Sequence, residues 1–202
     1  MLEDEFLPAY DVADAVAVVV HADAETTWAA LMDVDLIELG RRHPLVGVLG
    51  AVRVLPELIG HLVHGEPPPA APKRVRLRDT ATMPASSGGW ILLGERPGEE
   101  IALGLVGKFW QPVIEYAQVA AEDFSAFSQS GYAKTVYALA VRPLESGEGT
   151  LLSAVMRTAT TDEHARRWFR RYWTFGVGSG AHLLAGGLLD AAREDAERRE
   201  TA

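Results

Sequence analysis

Between Trp90 and Thr160 the chain is a succession of short β-prone segments, each ended by turn residues. That restricts the fold more than any other feature. Candidate strands are Arg76–Met83, Trp90–Glu95, Glu100–Phe109, a segment near Tyr116–Phe127, Tyr132–Arg142 and Thr150–Thr160. Ser86-Ser-Gly-Gly89, Arg96-Pro-Gly98, Ser130-Gly131 and Glu145-Ser-Gly-Glu-Gly149 supply the turns. Strands joined by such short turns imply an antiparallel meander rather than a βαβ sheet. A further strand, Val12–His21, is rich in β-branched residues, and Val12, Val16, Val18 and Val20 share one parity. In the Tyr132–Arg142 segment, Thr135, Tyr137, Leu139 and Val141 are expected to face inward.

Helical signals flank this β-rich middle. Asp23 offers an N-cap to a helix over Glu25–Met32 that turns Trp28, Leu31 and Met32 to the core. Asp33 and Asp35 end it. A second helical zone follows Pro44 to about Val63, interrupted near Pro56, and Gly65–Pro72 is a stiff proline-rich loop. One long helical segment runs from about Asp162 to Arg199. No flank of the proline-rich loop can close a core alone, so residues 10–193 read as a single domain, with 194–202 a charged tail.

The 202 residues carry 19 basic against 28 acidic side chains, a net charge of −9. A protein that wraps a polyanion usually shows the opposite sign, so nucleic-acid binding is not expected. The apolar runs are far short of the ~20 residues that span a bilayer, and the acidic start Glu3-Asp4-Glu5 is unlike a signal peptide. The expectation is a cytoplasmic protein with no membrane insertion. Cysteine is absent, which removes disulfides, thiol catalysis and thiolate metal sites.

The element order, strand then helices then meander then long helix, resembles the START-like helix-grip superfamily, specifically the SRPBCC group of polyketide cyclases and lipid-transport proteins. The resemblance rests on Val18-Val-Val-His-Ala-Asp-Ala-Glu-Thr-Thr-Trp28, Leu103-Gly-Leu-Val-Gly-Lys-Phe-Trp110, Gly131-Tyr-Ala-Lys134 and Thr161-Asp-Glu-His-Ala-Arg-Arg-Trp-Phe-Arg-Arg-Tyr-Trp173. It spans about Tyr10 to Arg193 and is similar to a bacterial branch of that group with no assigned activity. One departure is Val155, two before Arg157, where relatives often carry an acid. The resemblance implies an α+β fold: a curved antiparallel sheet of about six to seven strands, wrapped around the C-terminal helix. It also implies a cavity between sheet and helix for a small hydrophobic molecule, lipid- or polyketide-like. The alternative it leaves open is a cyclase- or dehydratase-type enzyme using the same cavity.

Chemical constellations are sparse. His61 and His64 share a helical face but lack a third ligand, so neither metal nor cofactor is expected. Gly176-Val-Gly-Ser-Gly180 lacks the lysine and preceding strand of a phosphate loop. In Arg166-Arg-Trp-Phe-Arg-Arg-Tyr-Trp173 the aromatic residues Phe169, Tyr172 and Trp173 form one stripe, and Arg167, Arg170 and Arg171 point away. That is an amphipathic core helix. Glu95, Glu115, Tyr137 and Tyr172 are the candidate acids and bases, better explained as ordinary surface or core groups. Continuing the stripe reaches Gly176, Gly180 and Leu183. Glycine inside a helix costs roughly 1 kcal/mol against alanine, so these ask for close packing or a void. The expected cavity lining is Trp90, Phe109, Tyr137, Phe169, Tyr172, Trp173, Gly176, Gly180 and Leu183.

Overall fold

A computed structural model of the chain describes residues 1–42, 74–80 and 90–201. The elements are α1 (Leu2–Phe6), β1 (Val12–Val20), α2 (Ala24–Asp33), α3 (Leu36–Arg42), α4 (Leu77–Thr80), β2 (Ile91–Arg96), β3 (Glu100–Gly107), β4 (Ala133–Pro143), β5 (Thr150–Thr160), α5 (Glu163–Tyr172), a π-type turn (Trp173–Val177) and α6 (Gly178–Glu200). The five strands form one antiparallel sheet in the order β1-β5-β4-β3-β2. The fold is α+β, with an open sheet and a long C-terminal helical stretch.

Both faces of the sheet are covered. On the inner face Leu103, Leu139, Val141, Leu152 and Ala154 pack against Ala185, Leu188, Leu189 and Ala192 of α6 and Leu31 of α2. On the outer face Ala102, Val106, Val136 and Ala138 pack against Leu2, Leu7 and Phe124. This is why both parities of β4 are buried, where alternation of the sequence suggests one. Glu100 fixes the outer cover: its buried carboxylate accepts the Leu2 N–H at 3.1 Å and pairs with Arg96 and Arg142. α6 continues to Glu200, with Ala196 fully buried. Asp23 and Asp162 cap α2 and α5, accepting from the Thr26 N–H at 2.6 Å and the Ala165 N–H at 2.7 Å.

Two expected strands are replaced. Leu77–Thr80 is a short helix, and residues 81–83 lie outside the described residues. The alternating Arg74, Arg76 and Arg78, which imitate a strand, instead reach Asp35 and Asp33. The segment near Tyr116–Phe127 makes one bridge, Gly107 to Tyr116, and a 3-10 turn at Ala121–Asp123. Its apolar residues serve as a cover, with Phe124 fully buried on the outer face. The sheet therefore has five strands among the described residues rather than six or seven.

The C-terminal helix is also not one piece. At Gly176 the backbone turns to φ +107°, and Phe175 leaves helical geometry at ψ 29°. Only glycine tolerates that conformation cheaply. α5 and α6 therefore do not share a continuous apolar stripe.

Candidate functional site

Strand register lays three rows across the inner face. Val12, Thr158, Thr135 and Leu105 form the first; Asp14, Met156, Tyr137, Leu103 and Leu92 the second; Val16, Ala154, Leu139 and Ile101 the third. Over β5 and β4 the outer rows are closed. Thr158 and Thr135 are 1% and 9% exposed, with their hydroxyls bonded at 2.8 Å, and Ala154 and Leu139 are 2% and 0% exposed. Met156 and Tyr137, between them, are only half-buried. The second row is therefore less enclosed at Met156 and Tyr137 than the rows on either side of it.

Its polar groups are few and specific. Asp14 on β1 receives Nδ1 of His182 on α6, at 3.0 Å and 3.1 Å from its two carboxylate oxygens. The carboxylate is 23% exposed and the imidazole 55%, so the negative partner lies inside and the histidine at the rim. Tyr137 has no hydrogen-bond partner for its hydroxyl among the described residues. Burial, together with the Asp14 carboxylate, pushes the phenol well above its ordinary pKa. It stays a neutral donor at every physiological pH.

An aromatic cluster packs beside the first row. Phe169 is 2% exposed, stands edge-on to Phe109 with ring centroids 6.5 Å apart, and stacks on Trp173 at 6.0 Å. Val12, Leu105 and Tyr172 pack against the same group. Trp90, Leu92 and Tyr137 pack on the aliphatic core.

The glycine and leucine expectations fare differently. Gly180 is buried, whereas Gly176 is exposed and has nothing within 4 Å of a Cβ built there. Leu183 is 50% exposed. The break at Gly176 resets the helical phase and turns Leu183 out. Close packing falls on Gly178 instead, where a Cβ would lie 2.7 Å from the Trp173 indole. Phe175, at 87% exposure, and Leu184, at 42%, are also turned outward.

Other expected groups lie elsewhere. Glu95 is exposed. Glu115, also exposed, accepts the Tyr132 hydroxyl at 2.6 Å and pairs with Lys108 at 2.8 Å. Its hydrogen bonds to Lys108 and Tyr132 hold its carboxyl below the usual range. Arg157 lies on the outer face of the sheet and pairs with Asp4 at 2.8 Å. His61, His64 and the proline-rich loop lie outside the described residues. Among the described residues no three His, Asp or Glu side chains converge as metal ligands, and no helix is long and apolar enough to cross a membrane.

A groove of about 830 Å³ runs between α2, α3, residues 74–78 and α6. Its charges satisfy one another: Asp33 holds Arg78 at 2.7 Å and Arg199 at 3.1 Å, and Arg74 reaches Asp35 at 3.2 Å. An exposed, self-paired network of this kind ties elements together and leaves little for a ligand.

Asp14, Met156 and His182 escape the sequence reading. Asp14 has the inward parity of Val12, Val16, Val18 and Val20, and a lone acid in an inward valine row is the signal that marks it. No protein-family model, curated protein or solved structure matches the chain.

Proposed function

We propose that the protein binds a small hydrophobic organic molecule, lipid- or polyketide-like, on the inner face of the sheet beneath the C-terminal helices, in a helix-grip architecture of the START-like kind. The observation that carries this reading is the half-open row Asp14–Met156–Tyr137 between two sealed rows. Ligand sites are largely apolar surfaces with a few convergent polar groups, and this row has that composition.

A second reading is a cyclase- or dehydratase-type enzyme, favoured by the Asp14–His182 pair beside Tyr137. Native mass spectrometry of the purified protein tests the main reading. An added mass that leaves on denaturation, and is recovered chemically unchanged, supports binding. Recovery of a transformed compound supports the enzyme.

A further inference from the structure

We infer that the exposed face of α5 docks on an anionic phospholipid surface, with its arginines at the headgroups and Trp168 and Phe175 in the layer beneath. The inference needs only the outside of α5 and stands apart from the ligand reading above. From His164 to Leu189 the chain has four arginines and no acidic residue, although the whole chain carries −9. Arg166 is engaged by Asp11 at 2.8 Å and by Glu163. Arg167, Arg170 and Arg171 are exposed, and among the described residues no carboxylate pairs with any of them. The acids that bound this stretch are occupied: Asp162 caps α5, and Asp190 pairs with Arg193 at 2.9 Å.

The same face carries apolar bulk. Trp168 is 44% exposed, and the Arg171 guanidinium lies 5.4 Å from the centroid of its ring. Phe175 follows Arg171 by four residues, just beyond α5, and is 87% exposed. Ala165 and Phe169 bury the opposite face of α5, so this one stays turned to solvent. Arginines interleaved with exposed Trp and Phe are the composition of helices that lie in a membrane interface. Charges act there within a Debye length of about 8 Å, so the local arginines outweigh the more distant acids. Nucleic acid fits less well, because it needs a cationic groove that tracks several phosphates. Lys108 and Lys134, next to Phe109 and Ala133 of the cluster under α5, are held by Glu115 and by the Phe124 and Ser125 carbonyls.

Co-sedimentation of the full chain with vesicles tests this, comparing phosphatidylcholine alone with phosphatidylcholine containing about one third phosphatidylserine. The expected result is saturable binding to the mixed vesicles at about 0.1 M salt, little to the neutral ones, and release at about 0.5 M. Arg167→Gln, Arg170→Gln and Arg171→Gln made together should weaken binding about a hundredfold. Phe175→Ser should weaken it about tenfold. Equal binding to both vesicle types, no binding to the mixed vesicles, or undiminished binding by the triple variant overturns the inference. Displacement from the mixed vesicles by a single-stranded oligonucleotide at equal phosphate concentration overturns it as well, and assigns the face to nucleic acid. The wild-type comparison of the two vesicle types decides the matter even if a variant does not fold.

Discussion

Asp14 and His182 join β1 to α6, with Nδ1 of the imidazole 3.0 Å and 3.1 Å from the two carboxylate oxygens. The pair lies where α6 packs along β1. With the histidine 55% exposed, the bond is worth little to the folded state. His182→Ala is expected to lower stability by less than about 1 kcal/mol, read from the midpoint of urea unfolding. A larger loss would make the pair a main tie of α6 to the sheet.

Phe169 anchors the aromatic end. It touches Phe109, Tyr172 and Trp173 and is almost wholly enclosed. Phe169→Ala should cost about 3–5 kcal/mol in chemical denaturation, and an unchanged midpoint would contradict its burial.

The fold's helix caps titrate in acid. Asp162 has its carboxyl held down to about 2 by the Ser130 hydroxyl, with the Ala165 and Gly131 N–H groups assisting. A carboxylate depressed in the folded state stabilises it above the unfolded value of 3.8 and loses that effect as pH falls toward 2. Asp162→Asn should flatten the stability profile in that window. Asp162→Ala should in addition lower the melting temperature by about 2–4 °C at neutral pH. Identical acid profiles for wild type and Asp162→Asn would refute the assignment.

Glu100 sits under α1. Burial pushes its carboxyl up, but the Leu2 N–H and the Arg96 and Arg142 guanidiniums outweigh that and leave it below the ordinary carboxylate range. Glu100→Ala leaves the Leu2 amide without its acceptor and should cost about 1–3 kcal/mol. Hydrogen exchange at Leu2 should accelerate more than at Leu139; equal change at both would mean α1 is not separately tethered.

Much of this architecture can be read from residue order. The turn residues around Gly98, Gly131 and Gly149 mark β2–β3, the start of β4 and β4–β5, and the structure places these glycines at positive φ. Asp23 and Asp162 mark the helix starts. Illegible from the chain is whatever depends on partners distant in sequence. Arg74, Arg76 and Arg78 alternate like a strand, yet each reaches an aspartate near the end of α2, Arg74 to Asp35 and Arg76 and Arg78 to Asp33. Periodicity projected beyond Trp173 assumes an unbroken 3.6-residue turn, and one left-handed glycine at 176 invalidates the projection. Tyr137 follows from parity alone. Asp14 and His182, 168 residues apart, become a pair only once β1 and α6 are packed.

The central claim is that the row Asp14–Met156–Tyr137 forms the floor of a ligand site. Met156→Trp fills that floor from the middle with a larger side chain that keeps the apolar character. Binding of 2-methylnaphthalene, measured by equilibrium dialysis alongside far-ultraviolet circular dichroism, is the direct measurement. The account predicts saturable uptake by the wild type and loss of uptake by Met156→Trp with the fold retained. No uptake by the wild type, or undiminished uptake by the folded variant, would contradict it.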